Sequence, residues 1–385
     1  MPPARTGQGD RGAGRGGSVT LFLAGDAMIG RGLDQVFPQS VPPSLHEPYV
    51  KDARRYVELA ERESGPIPAP VSLEYPWGDA LDVLDRADTD ARVVNLETAV
   101  TISEDAWPGK GIHYRTHPAN VGCLVAGGVD VAVLANNHVL DWGRPGLRET
   151  LESLAAAGVR PAGAGSDRED ARSPAVVDLD GRDGRLLVVG LALPSAGVPA
   201  EWAAEPSRSG IGYLPEPSEA AARDVGRRLE SARREDDLVV ASLHWGPNWG
   251  YEIPARQRRF ARLLVEEAGV DLVHGHSSHH PKGLEVHDGR LVLYGCGDVL
   301  NDYEGIAGHD EYRPDLVLIY LPVLDAATGR LERLEMVPMR IRRFRLERAG
   351  AEAGRWMGET LSRESRRLDG ADVELGGDGR LTVRP

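Results

Sequence analysis

The stretch Val131-Ala-Val-Leu-Ala-Asn136-Asn137-His138-Val-Leu-Asp141 decides how this chain is read. Five apolar, mostly small or β-branched residues read as a buried strand. That strand delivers Asn-Asn-His into the loop where a parallel strand ends and a helix begins, the usual address of chemistry in a layered sheet. Leu147 to Ala156 reads as that helix, and Gly158 stands where a left-handed cap belongs. Asn137 offers a neutral oxygen ligand, His138 an imidazole, and Asp141 a carboxylate close enough to orient it. A polar turn with a capping Asp would look the same, so the decision falls to the other strand ends.

The arrangement recurs. The run Val19 to Ala24 leads to Gly25-Asp26, with Gly25 expected to let the backbone turn sharply. Ala91 to Val94 leads to Asn95-Leu-Glu97, Leu238 to Leu243 to His244-Trp245-Gly246, and Val270 to Val273 to His274-Gly275-His276-Ser-Ser-His279-His280. Four histidines within seven residues, in a chain holding eleven, is a concentration that an ordinary polar loop does not explain. Five strand ends of one parallel or mixed sheet share an edge, so Asp26, Glu97, Asn137, His138, His244, His276 and His279 are expected to converge on one metal site. The segment from Lys110 through His113, Tyr114 and Arg115 is dense in donors and aromatics. With Trp245 it is the candidate substrate-binding surface.

Between these motifs, residues 38–78 read as a long ordered loop with at most one short helix. Hairpins are expected around Asp180-Gly181 and Asp288-Gly289. Residues 216–234 and 256–268 read as helices, 314–323 and 331–343 as antiparallel strands, and 350–366 as a final helix. The whole reads as an α/β layered protein. Residues 1–17 are rich in Gly, Arg and Pro and are expected to be disordered, 18–345 to form the catalytic domain, and 346–385 to be a C-terminal helix and tail packed on it.

A net charge of −14 argues against nucleic acid or an anionic membrane as partner and favours a small or peptidic substrate. The two cysteines, Cys123 and Cys296, have no metal or redox spacing and suit a reducing cytoplasm. No run approaches the roughly 20 apolar residues of a membrane span, so a soluble cytoplasmic protein is expected. Oligomeric state is left open.

Gly25-Asp26, Asn95-Leu-Glu97, Asn136-Asn137-His138 with Asp141, His244-Trp245-Gly246 and Gly275-His276-Ser-Ser-His279, in this order, resemble the CapA (poly-γ-glutamate capsule biosynthesis) family. The likeness covers roughly residues 18 to 345. It implies a calcineurin-like metallophosphoesterase fold, a two-sheet sandwich flanked by helices. It makes Asp26, Glu97 and Asn137 oxygen ligands, with His244, His276 and His279 as the later histidine ligands. His138 held by Asp141 matches that fold's acid/base histidine. Two positions depart from the pattern: Met28 stands where a histidine is expected, and Asn95 with Glu97 where a bridging Asp is expected. A thioether does not replace imidazole toward a hard cation, which weighs against a two-metal phosphoesterase.

CapA-like proteins without an anchor also resemble lasso-peptide epimerases. One expectation is therefore a peptide epimerase that deprotonates a Cα at the C-terminal bulky or aromatic residue. It would use His138 with Asp141 on one side and His276 or His279, near Asp26 or Asp298, on the other. The alternative is a metal-dependent hydrolase of a γ-glutamyl amide or phosphoester, and a third reading is a non-catalytic binding protein. The oxygen donors favour calcium, manganese or magnesium as the divalent ion, and the histidines also suit zinc or iron.

Overall fold

The computed structural model describes residues 17–182, 184–368 and 370–384. The disordered segment expected over residues 1–17 falls, but for Gly17, outside them. The chain lays down β1 (Ser18–Ala27), β2 (Ala91–Leu96), β3 (Val131–Val133) and β4 (Arg160–Ala162) as parallel neighbours in that order. It then builds a second sheet from β5 (Ala175–Asp178), β6 (Arg185–Ala192), β7 (Leu238–His244), β8 (Leu272–His276), β9 (Leu284–His287) and β10 (Arg290–Leu293). The central strands β6, β7, β8 and β10 of this sheet are parallel, while β5 and β9 close its edges antiparallel. Finally β11 (Asp298–Leu300) joins β1 in parallel, and β12 (Leu316–Asp325) and β13 (Leu331–Arg342) extend the first sheet antiparallel on the same side.

Alternation along the second sheet makes the layers. Leu186, Val188, Val240, Leu272, Leu291 and Leu293 pack into the core shared with the first sheet. Their neighbours Leu187, Val189, Val239, Ala241, Val273 and Val292 point the other way, onto Leu229, Phe260 and Leu264. Leu229 belongs to helix α2 (Glu219–Ala232), Phe260 and Leu264 to α3 (Ala255–Ala268). Between β3 and β4 runs α1 (Gly143–Ala156), followed by Gly158 at φ +76°, the left-handed residue expected there. The α/β layered sandwich read from the sequence is the one the chain adopts. After β13 the chain adds β14 (Arg345–Arg348), α4 (Ala351–Arg366), β15 (Glu374–Leu375) and β16 (Leu381–Val383), the last pairing with β13. Among the described residues no helix is long and apolar enough to cross a membrane.

Two local expectations are corrected. Residues 38–78 are not one loop with a single short helix, because Arg54–Ser64 makes three helical turns and Tyr75–Trp77 adds a 3₁₀ turn. Only Tyr56 and Ala60 of the longer helix are fully buried, so it carries no broad apolar stripe to betray it. Gly25 is also not a turn residue: it lies inside β1 and is not among the glycines of positive φ. Its role is close approach, since a Cβ there would sit 1.7 Å from the Gly297 carbonyl oxygen, which accepts the Asp26 N–H at 2.9 Å.

Gly25→Ala should therefore cost at least about 2 kcal/mol by overpacking, whereas Gly111→Ala, which meets nothing within 4 Å, should stay within about 0.5 kcal/mol of the parent. Denaturant melts of the two variants measure the difference.

Candidate metal centre

Parallel pairing sets the register of the centre. Asp26 of β1 pairs with Asn95 of β2 on one side and Asp298 of β11 on the other, and His244 of β7 pairs with His276 of β8. Asp26, Glu97, His138, Asp141, His244, His276, His279 and Asp298 are all buried. Ligand atoms of Asp26, His244 and His276 lie within 4.8 Å of one another, and so do those of Asp26, His279 and Asp298. Glu97 Oε1 is 3.8 Å from both His138 Nε2 and His244 Nε2, and Asn137 Oδ1 is 3.1 Å from His244 Nε2. The residues singled out in the sequence from five strand ends are thus brought to one place.

Asp26 accepts from Asn95 Nδ2 at 2.7 Å and from the Ser277 N–H at 3.2 Å, both neutral donors. Ser277 reaches it with φ at +102°, a strained conformation for a residue with a side chain, and anchors itself by donating Oγ–H to the Gly246 carbonyl at 3.1 Å. Asn136 completes the frame, donating to Asn95 Oδ1 at 3.0 Å and to the Leu96 carbonyl at 2.8 Å. Glu97 Oε2 is buried with no hydrogen-bond partner. Burial, then the charge of Asp298, pushes the Asp26 carboxyl up to about 7; burial, then Asp26, pushes Glu97 well above the usual carboxylate range. Burial holds His244 and His276 neutral, with their pKa well below the ordinary imidazole value. Crowded carboxylates without a cation, an orphaned carboxylate oxygen and neutral imidazoles are the donor set a divalent ion requires, so the residues fit one.

Two histidine–carboxylate pairs flank this cluster, one histidine following a strand of each sheet and both carboxylates on the side of the first sheet. His138, after β3, has Nδ1 at 2.6 Å from Asp141 Oδ2, and Asp141 also accepts the Tyr114 N–H at 2.7 Å and Lys110 Nζ at 2.5 Å. His279, after β8, has Nδ1 at 2.8 Å from Asp298 Oδ1, and Asn301 holds the other Asp298 oxygen at 2.7 Å. Burial depresses His138 to about 4 despite Asp141. For His279 burial also opposes protonation, but the charge and hydrogen bond of Asp298 outweigh it and the pKa is raised. One pair thus favours the free base and the other the imidazolium, the division of an acid/base couple.

The candidate substrate residues divide by alternation. Tyr114 turns inward, its ring edge 4.5 Å from His138 between centroids and its hydroxyl 3.0 Å from that of Tyr303. Lys110 also joins the centre, donating to the Asn137 carbonyl as well as to Asp141. His113 and Arg115, one residue either side of Tyr114, point away. His113 Nε2–H donates to the Trp107 carbonyl at 2.9 Å, and Arg115 lies 3.7 Å over the Trp142 ring. Trp245, next to His244, likewise faces the opposite side of its strand; it is buried, stacks on Tyr294 and donates Nε1–H to the Tyr294 carbonyl at 3.0 Å. The contacts of these three lie away from the donor cluster. Met28 Sδ is 3.5 Å from the Tyr303 hydroxyl, which is itself 3.5 Å from His279 Nε2.

Sequence reading passed over a second buried group beside the centre. Arg31, at φ +48°, is clamped by Asp302 at 2.5 and 3.1 Å and by Glu47 at 2.9 Å, and stacks 4.5 Å over Tyr114. Its one trace in the sequence is that Asp302 follows the Asp298-to-Asn301 run.

Residues 20–303 match the family described as Bacterial capsule synthesis protein PGA_cap. A probable polyglutamine synthesis accessory protein of Mycobacterium tuberculosis (strain ATCC 25618 / H37Rv) is 45% identical over 374 residues, covering 97% of this chain and 98% of that protein. The PGA biosynthesis protein CapA of Bacillus subtilis (strain 168) is 28% identical over 319 residues, 82% of this chain and 70% of its own. The capsule biosynthesis protein CapA of Bacillus anthracis is 25% identical over 193 residues, 50% and 45% respectively. The matched region contains every strand end that meets at the centre, and the chain belongs to the PGA_cap family of bacterial capsule synthesis proteins.

Proposed function

We propose that this protein is a metal-dependent acid/base enzyme that hydrolyses an amide bond of a glutamyl chain. The observation that carries the reading is the placing of two oppositely poised histidine–carboxylate pairs, His138–Asp141 and His279–Asp298, against one cluster of metal-binding donors. The names of the relatives, which refer to polyglutamine and PGA synthesis, supply the substrate class. Asp26, Glu97, Asn137, His244 and His276 would hold the ion. When bound, it would neutralise the carboxylates and polarise an oxygen of the substrate.

The chain's own residues do the rest. His138, neutral and held by Asp141 in the tautomer that leaves Nε2 bare, takes a proton from the attacking water as its oxygen adds to the amide carbonyl carbon. Lys110 balances the Asp141 charge. The C–N bond then breaks, and His279, charged and held by Asp298, gives its proton to the departing nitrogen. Both histidines return to their starting states by exchange with water.

The same two pairs favour a second reading, epimerisation, in which His138 removes a Cα proton and His279 returns one to the other face. That reading needs no water to attack and suits the expectation of a peptide with a bulky C-terminal residue. Met28, whose Sδ lies 3.5 Å from the Tyr303 hydroxyl, stands where the resemblance to a metallophosphoesterase would expect a second-metal histidine, which weighs against phosphoester hydrolysis.

Asp141→Asn should leave the melting temperature near that of the parent while lowering turnover at least about 100-fold, because the amide favours the wrong imidazole tautomer; an unchanged rate would remove the pair from the mechanism. Incubation of manganese-loaded protein in deuterated water with glutamyl oligomers, and separately with peptides ending in bulky residues, distinguishes the two readings by mass spectrometry. Shortened oligomers establish hydrolysis. A one-unit mass gain at unchanged length with a scrambled stereocentre establishes epimerisation, and neither change with any substrate contradicts both.

A further inference from the structure

His274, inside β8, belongs to neither set of candidate ligands, yet it is buried and bridges the two sheets. Its Nε2 lies 3.0 Å from the Ala24 carbonyl of β1, and its Nδ1 lies 3.0 Å from Ser242 Oγ of β7. Ser242 Oγ is in turn 2.9 Å from His276 Nε2, and His276 Nδ1 is 2.9 Å from His244 Nδ1. We infer that His274 and Ser242 are positioning residues that set the tautomer of His276, so that its bare Nδ1 faces the Asp26 carboxylate. The inference rests on the reading above that this cluster holds a metal.

The order of donors follows from its first link. A carbonyl oxygen only accepts, so His274 Nε2 carries the proton, and a neutral imidazole then has a bare Nδ1. The Ser242 hydroxyl has one hydrogen and must spend it on that nitrogen, so its oxygen accepts from His276 Nε2–H. His276 Nδ1 is left bare, 3.7 Å from Asp26 Oδ1. That single lone pair serves either an ion or a hydrogen bond from His244 Nδ1–H at 2.9 Å, not both, so the direction is fixed as far as His276. One backbone carbonyl, two residues before Asp26 in the same strand, thus propagates a direction through two imidazoles. Reversed, the relay would aim an N–H of His276 at Asp26 and withdraw a ligand. Partners of this kind behind a ligating histidine fix its ring and tautomer and tune affinity.

The test uses the whole chain with histidine ¹⁵N labelling and manganese calorimetry. In the metal-free parent, His276 should be protonated at Nε2 and bare at Nδ1. Ser242→Ala should lose that tautomer preference and bind manganese about 10- to 100-fold more weakly with its circular dichroism unchanged. Ser242→Thr, which keeps the hydroxyl, should restore both. A His276 protonated at Nδ1 in the parent, or full affinity in Ser242→Ala, would overturn the relay. Should Ser242→Ala fail to fold, the parent tautomer decides. A parent that takes up no ion would overturn the metal reading, while the tautomer measurement would still judge the relay.

Discussion

Four buried carboxylates, Asp26, Glu97, Asp141 and Asp298, meet at one edge of this protein, and the balance of their charge is the constraint on which the site depends. Asp141 has Lys110 and His138, and Asp298 has His279 and Asn301. Asp26 accepts hydrogen bonds from neutral donors and shares the His279 charge with Asp298, and Glu97 has one oxygen with no partner. An unpaired buried carboxylate costs several kcal/mol, against a net folding stability of about 5–15 kcal/mol. Asp26 and Glu97 cannot both stay ionised on that margin. They hold protons, as their raised pKa values indicate, or they hold a cation. A divalent ion resolves the conflict and gives the surrounding neutral imidazoles a purpose.

The fold delivers these groups with little local distortion because parallel strands end together. Neighbouring strands bring Asp26, Asn95 and Asp298 side by side in the first sheet, and His244 beside His276 in the second. The cost is concentrated where the sheets touch. Gly25 has no room for a Cβ, and Ser277 adopts a positive φ to aim its N–H at Asp26. Strain of this kind persists where surrounding packing over-determines it, and here it lies within the donor cluster.

The legible part of the sequence was the part with a period. Buried strands read as apolar runs, so polar residues at their ends stand out, and Asp26, Glu97, Asn137, His138, His244, His276 and His279, each following such a run, are residues that the structure brings together. Local density singles out Lys110 and Tyr114, which reach the cluster, together with His113, Arg115 and Trp245, whose contacts lie elsewhere. In extended chain, adjacent residues face opposite ways, and density alone does not say which face is which. The buried Arg31 with Glu47 and Asp302 was illegible for another reason: its partners lie 16 and 271 positions away, and nothing local marks a charged residue as paired. His274 was seen only as part of a histidine cluster, since its task depends on a carbonyl 250 positions earlier.

The convergence of both sheets on a bound cation is the central claim, and a crystal soaked in manganese tests it most directly. The account predicts an anomalous scattering peak bonded to the Asp26 carboxylate and to at least one of His244 and His276, with Glu97 or Asn137 alongside. Crystals at saturating manganese in which Asp26 and Glu97 bind no ion, or in which the ion sits away from these strand ends, would contradict it.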